Sequence, residues 1–199
     1  MTISPLVPTD PPPHRPSALR RLDGVGHREA QRLRAAGLVR PSLTGVVVAA
    51  HLGTGPGSRA ASVGAALRSL GGPGRGSPLA VGFCTAAWVH TGGDEPAVIE
   101  LAVPAGTPRV VGRGIRVRRV TALAAADVVR LRGVPVTTPP RTAADVARDL
   151  PPAEALHWLE RLRCHAGVEP DDVVDQLDAM PFARRIAPAR RLVRAWATR

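Results

Sequence analysis

Residues 114–150, GIRVRRVTALAAADVVRLRGVPVTTPPRTAADVARDL, constrain the fold of this chain more than any other stretch. They read as a strand with a basic outer face, a short helix, a second short strand, and a threonine-proline start to an amphipathic helix. In the first strand Ile115, Val117 and Arg119 alternate with Arg116 and Arg118, so the last two share a face. Asp127, at the end of the predicted short helix, is expected to cap it or to pair with Arg130. Thr138-Pro139-Pro140-Arg141 offers a capping hydroxyl and proline in the first turn of the next helix. Asp145 follows Arg141 by four residues, so the two are expected to pair on one helical face.

At 199 residues the chain fits one domain with an appendage, or two small domains. Its formal charge is +11, and all 27 basic side chains are arginine, because the sequence has no lysine. Asn and Tyr are also absent, the mark of a GC-rich coding sequence. That bias explains arginine over lysine, but not the surplus over acids, which points to a polyanionic partner, nucleic acid before membrane. Two cysteines, Cys84 and Cys164, are too few for a disulfide framework. Residues 1–14 have no basic n-region followed by an apolar h-region, and the longest uncharged run, residues 76–93, is broken by Gly, Pro, Ser, Thr and His. A cytoplasmic, soluble protein is expected.

Residues 1–16 contain six prolines and read as a disordered leader. A module over 17–52 follows. Residues 17–22 suffice for one or two helical turns. Gly24-Val25-Gly26 then opens HREAQRLRAAG, a helix ended by Gly37, with Ala30, Leu33 and Ala36 or Gly37 on one face and His27, Arg28, Gln31 and Arg32 on the other. LVRPSLTGVVVAA reads as a two-stranded wing turning near Ser42–Gly45. Helix plus hairpin is the back half of a winged helix-turn-helix, whose recognition helix must present donors to base edges and phosphates. Residues 15–40 hold seven arginines against Asp23 and Glu29. The same pattern also suits an ordinary solvated helix. A glycine-rich hinge, HLGTGPGSR, separates this module from a mixed domain over 58–199. There, residues 58–70 are expected to be helical, AVGFCTAAWVH is expected to hold a short strand and a helix starting near Thr85, and PAVIELAVP is expected to pair with GIRVRRV. Helices are expected over 151–166, 170–179 and 185–197.

Motifs for catalysis are missing. GTGPGS and GGPGRGS lack the ending of a phosphate loop, and neither a G-x-S-x-G elbow nor H-E-x-x-H occurs. Cys84, His90, Cys164 and His165 do not follow zinc-ligand spacing, so no metal or other cofactor is expected. The acids Glu169, Asp171, Asp172, Asp175 and Asp178 lie at and along a predicted helix whose start they complement electrostatically. In the last helix Ile186, Ala189, Val193 and Trp196 make an apolar stripe with Arg190, Arg191 and Arg194 beside it, which suits packing on the domain, a polyanion surface, or both.

The 114–150 segment resembles the core of the AbiEi-family antitoxins of type IV toxin–antitoxin (abortive-infection) pairs, in their high-GC bacterial branch. The residues that carry the resemblance are Arg116, Arg118, Arg119, Asp127, Val128, Gly133, Pro135, Thr137, Thr138, Pro139, Arg141, Thr142, Asp145 and Ala147, with Thr85, Ala86, Ala87 and His90 matching a further family element. The likeness extends over roughly residues 24–180. Larger relatives append an endonuclease-like domain that is not expected here. The resemblance implies a non-enzymatic antitoxin that represses its own promoter by binding inverted repeats in DNA. It also implies a nucleotidyltransferase-like toxin that is countered without a stable complex.

The fold expected is therefore α+β: a reduced N-terminal winged helix-turn-helix, short of its first helix, then a mixed α/β domain with a helical C-terminus. The DNA-contacting residues expected are His27, Arg28, Gln31, Arg32, Arg34, Arg40, Arg116 and Arg118. Thr138, Arg141, Thr142 and Asp145 are expected to hold structure. Two alternatives stand beside this reading: a non-enzymatic interaction scaffold, and the specificity subunit of a split nuclease.

Overall fold

A computed structural model describes residues 27–42, 46–49, 54–70, 79–107, 114–180 and 183–199. The proline-rich leader, the short helix expected over 17–22, the turn of the wing and part of the glycine hinge lie outside the described residues.

The N-terminal piece is helix α1 (His27–Ala35) followed by the antiparallel strands β1 (Val39–Ser42) and β2 (Val46–Ala49). Gly37 sits at φ +66°, where glycine ends a helix without strain. Helix and hairpin thus lie where expected.

The rest is built on a five-stranded sheet in the order β5-β4-β3-β7-β6. Helix α2 (Pro56–Ser69) precedes it, and β3 (Ala80–Val81) leads at once into α3 (Phe83–Thr91). The strand-to-helix corner needs Gly82, since a Cβ there would lie 3.0 Å from the Ala102 side chain and 3.3 Å from its backbone nitrogen. β4 (Ile99–Pro104) pairs antiparallel with β3 and parallel with β5 (Ile115–Val120). Both of its faces are covered, which is why it reads as an almost unbroken apolar run. Helix α3 is buried nearly all round, between α2, the sheet, and the helices that follow.

The stretch after β5 departs from expectation. In place of a short helix there is a single 3-10 turn at Ala125–Asp127, then β6 (Val128–Leu131) and β7 (Val134–Thr137) in an antiparallel hairpin. Arg132 and Gly133 both have positive φ, +51° and +80°, as a two-residue primed turn requires. β7 then pairs parallel with β3 and closes the sheet.

Helices α4 (Pro139–Asp149), α5 (Pro152–Ala166), α6 (Pro170–Asp178) and α7 (Ile186–Ala197) complete the chain, close to the bounds read from the sequence. Proline sits in the first turn of α4, α5 and α6, where its missing N–H costs nothing. Val63, Val81, Trp88, Val89, Ile99, Leu101, Val103 and Val136 form the core between sheet and helices. A second core, among α4 to α7, is made of Val146, Leu159, Leu162, Val173, Leu177, Val193 and Trp196. The apolar stripe of α7 is thereby used internally: Ala189, Val193 and Trp196 are fully buried, and Trp196 Nε1 donates to Glu160 (3.0 Å).

Candidate functional site

Two groups of arginines have to be distinguished. In α1, Arg28, Gln31, Arg32 and Arg34 are exposed; of the expected apolar face Leu33 is half-buried, whereas Ala36 and Gly37 just past the helix are exposed. His27 opens the helix, and Arg40 lies on β1 opposite Val48 in the hairpin register. Helix and hairpin are adjacent in sequence and carry Arg28, Arg32, Arg34 and Arg40 within 13 residues, against Glu29 alone.

The β5 arginines are differently placed. Arg116 and Arg118 do share a face, but opposite them on β4 stands Glu100, almost wholly buried. Its Oε1 accepts from Arg118 Nε at 2.9 Å and from Arg116 Nη1 at 3.4 Å, while Oε2 accepts the backbone N–H of Cys84 at 3.0 Å. Arg118 also stacks on the Phe83 ring, 4.8 Å from its centroid, and lies 3.9 Å from Asp149. Arg116 keeps a side chain that is 58 % exposed; that of Arg118 is 26 % exposed. This carboxylate at the first turn of α3 explains why that helix starts at Phe83 rather than Thr85. Thr85 ties the same corner down, donating to Val98 O (3.2 Å) and accepting the Glu100 N–H (2.9 Å). Burial first, and then the Glu100 charge, push the Cys84 thiol up to about 12, so this cysteine is no nucleophile.

The threonine-arginine-aspartate motif forms the centre of a buried ionic network. Arg141, 2 % exposed, donates through Nε to Asp145 (3.0 Å), through Nη1 to Asp127 (2.6 Å) and through Nη2 to the carbonyl of Ala122 (3.2 Å). The expected Arg141–Asp145 pair is present. Asp127 takes Arg141 in place of Arg130, because the 3-10 turn aims it at α4; it also accepts from the Ala124 N–H (2.9 Å) and Gln176 Nε2 (2.9 Å). Asp145 Oδ1 lies 3.2 Å from Arg148 Nη2 but off the N–H axis, so that contact is Coulombic without a hydrogen bond. Burial pushes the Asp145 carboxyl above its ordinary range in spite of the two neighbouring guanidiniums. The Thr138 hydroxyl makes no cap: Pro139 and Pro140 remove the N–H of the first two helical positions, and the hydroxyl does not take that of Arg141. The Thr138 carbonyl accepts the Thr142 N–H (2.8 Å) instead, and the Thr142 and Thr137 hydroxyls join at 2.7 Å.

His90 closes the other end of α3. Its Nε2 lies 2.7 Å from the carbonyl of Thr137, which can only accept, so Nε2 carries the proton of a neutral ring. Burial lowers its pKa, outweighing that hydrogen bond. Arg59 donates to the carbonyls of Val89 (2.9 Å) and His90 (3.1 Å), and Arg161 donates to that of Thr91 (3.1 Å), filling the last carbonyls of the helix. Among the described residues, no three His, Cys, Asp or Glu side chains are grouped to hold a metal ion, and no helix is long and apolar enough to cross a membrane.

Sequence reasoning missed Glu100, Arg59, Arg161 and Gln176. For Glu100 a signal existed: a lone acid inside IELAV must be paired if the strand is buried.

These features define a mixed α+β domain with a helical C-terminus, held by an arginine-carboxylate core and preceded by a basic helix and hairpin. The profile of the AbiEi antitoxin C-terminal domain matches residues 80–194, from β3 into α7, and the chain belongs to that antitoxin family. Helix α1, the hairpin and α2 lie before the match. Among solved structures, the crystal structure of the RV2827C protein from Mycobacterium tuberculosis aligns with 90 % of this chain and 70 % of its own, at 14 % identity and a TM-score of 0.43. No curated protein matches.

Proposed function

We propose that the protein is the antitoxin of a type IV toxin–antitoxin system and represses its own promoter by binding DNA. The observation that carries the antitoxin role is the family match over residues 80–194. The DNA-binding role is supported by the exposed Arg28, Arg32 and Arg34 of α1, by the hairpin that follows it, and by the net charge of +11. In this reading Arg28, Gln31 and Arg32, with His27 at the helix start, contact base edges in the major groove, and Arg34 and Arg40 neutralise flanking phosphates. Arg116 and Arg118 add phosphate contacts through guanidinium nitrogens other than Arg116 Nη1 and Arg118 Nε, which are given to Glu100. Inverted repeats in the promoter are the expected operator, and a nucleotidyltransferase-like enzyme is the toxin, countered without a stable complex. The protein acts without catalysis of its own and without a cofactor, in the cytoplasm.

The test is fluorescence anisotropy with the upstream DNA of the gene and a scrambled duplex, across a salt series. Any protein this basic binds DNA with a slope of about 0.9 per phosphate neutralised, so raw affinity is not informative. A preference of at least ~10³ for the upstream sequence, lost when Arg28 and Arg32 are replaced by alanine, supports an autoregulator. Equal binding to both duplexes overturns it.

A further inference from the structure

Beside the ionic network lies a cavity of about 260 Å³. Its walls include Ala122 and Ala124 from the β5–β6 connection, Arg148 from α4, and Ala179, Met180 and Ala183 after α6. At about 30 Å³ per water it has room for about nine waters, or for one ring-sized molecule. Apart from the charged groups and Thr121, the walls are alanine and methionine.

Those groups are unequally engaged. Every N–H-bearing nitrogen of Arg141 has an oxygen acceptor, and both oxygens of Asp127 are taken. Arg148 is 8 % exposed and gives Nε and Nη2 to Asp149 (3.1 and 3.3 Å). Its Nη1 has only the thioether of Met180, at 3.7 Å. Sulfur is a weak acceptor, so a buried guanidinium edge is left with its donor capacity mostly unused at the cavity wall. Charge then narrows what can be accepted. The two guanidiniums already face Asp127, Asp145 and Asp149, so no positive excess remains for an anion. A cation would meet two arginines and no free carboxylate oxygen on Asp127. A neutral acceptor satisfies both conditions, and the alanine and methionine walls suit a compact apolar body around it.

We propose that this cavity is a binding site for a small neutral molecule bearing an amide or lactam carbonyl, which accepts from Arg148 Nη1 and rests its apolar part on Ala122, Ala179, Met180 and Ala183. The site is separate from the α1 surface and does not depend on DNA binding.

The test uses the full chain with [methyl-¹³C]methionine, which reports on Met180 with Met1 as the only other signal. Benzamide, benzoate and benzamidinium share one shape and differ in charge. Benzamide is expected to shift the Met180 methyl resonance saturably, with roughly millimolar affinity. Benzamidinium, which has no acceptor for Arg148, should bind about five- to tenfold more weakly, the worth of one well-made hydrogen bond, and benzoate should be weakened similarly by the three carboxylates that already offset the guanidiniums. Arg148→Met should abolish that preference. Because it also strands Asp145 and Asp149, Ala183→Leu provides a second variant that fills the cavity without touching an ionic group, and it should abolish binding. Three results each overturn the proposal: no Met180 shift with benzamide, equal affinity for all three compounds, or unchanged binding in Ala183→Leu.

Discussion

Replacing Arg141 with methionine removes the three directed donors that hold Asp145, Asp127 and the Ala122 carbonyl. Asp145 is fully buried, and Asp127 is 8 % exposed. Two of the bonds go to carboxylates and one to a carbonyl. At about 1.5–3 kcal/mol for each charged acceptor and about 1 for the neutral one, the simple sum is about 4–7 kcal/mol. The stranded carboxylate has an escape, however. Asp145 already sits above the ordinary carboxyl range through burial, and losing Arg141, which lowers it, raises it further and eases proton uptake. That limits the loss to the ~3–5 kcal/mol typical of breaking a buried pair. Against a total stability of about 5–15 kcal/mol the variant should fold, with Tm lowered by about 6–20 °C.

Urea unfolding followed by the fluorescence of Trp88, Trp158 and Trp196 measures the change. A loss under about 1 kcal/mol would refute the reasoning, since it would mean the network contributes no more than a surface pair. Two further readings check the cause. Adding Asp145→Leu to Arg141→Met should recover part of the loss, because the orphaned carboxylate is then gone. Lowering pH from about 7 to about 5 should shrink the deficit. A carboxyl whose folded pKa lies above its unfolded value binds more protons folded than unfolded, so its penalty is relieved as pH falls.

Other outcomes follow from the same geometry. His90 has the opposite sign: its folded pKa is lowered, so the unfolded state binds more protons and stability should fall as pH drops through about 6.5, a component that His90→Gln removes in acid-unfolding curves. Of the two thiols, exposed Cys164 should alkylate with iodoacetamide at pH 8 in the native protein while Cys84 should not; mass spectrometry showing Cys84 modified first would contradict its placement. Glu100→Gln should cost about 2–4 kcal/mol of stability and, by freeing Arg116 and Arg118, raise low-salt affinity for a scrambled duplex; unchanged non-specific affinity would exclude these two arginines from phosphate contact. Gly82→Ala should lower the yield of folded protein, because its Cβ would press on the β4 backbone.

The C-terminal helices were legible because each carries its own boundaries: proline at the start of α5 and α6, and Gly167 in the left-handed cap after α5. The α1 helix and the hairpin were legible for the same local reasons. The β6–β7 hairpin was not, because AAADVVRLRGV is rich in helix formers and Arg-Gly is a poor advertisement for a primed turn. What decides there is distant in sequence: β7 is needed beside β3, and Arg141 needs Asp127 in reach. β3, two residues long, shows no period of its own, but the short strand expected at the start of AVGFCTAAWVH is there. The Arg141–Asp145 pair was readable at helical spacing, whereas its partners Asp127 and Gln176 come from other elements and leave no mark in local sequence.

The buried arginines also bear on what the net charge means. Arg118, Arg141 and Arg148 are matched inside the fold by Glu100, Asp127, Asp145 and Asp149. These three cations consume four of the 16 acids, so the outer surface is at least as basic as the formal +11 suggests. Nor is arginine there only for want of lysine codons. Arg141 serves three acceptors, one on its own helix and two in the β5–β6 connection, from one planar group, a geometry a point-like ammonium does not reproduce. Arg141→Lys should therefore lose much of what Arg141→Met loses, while lysine at Arg28 or Arg34 should leave stability unchanged. Internal arginines hold the domain together and exposed ones are available to a polyanion, so a substitution series should separate the two groups by stability before any DNA is added.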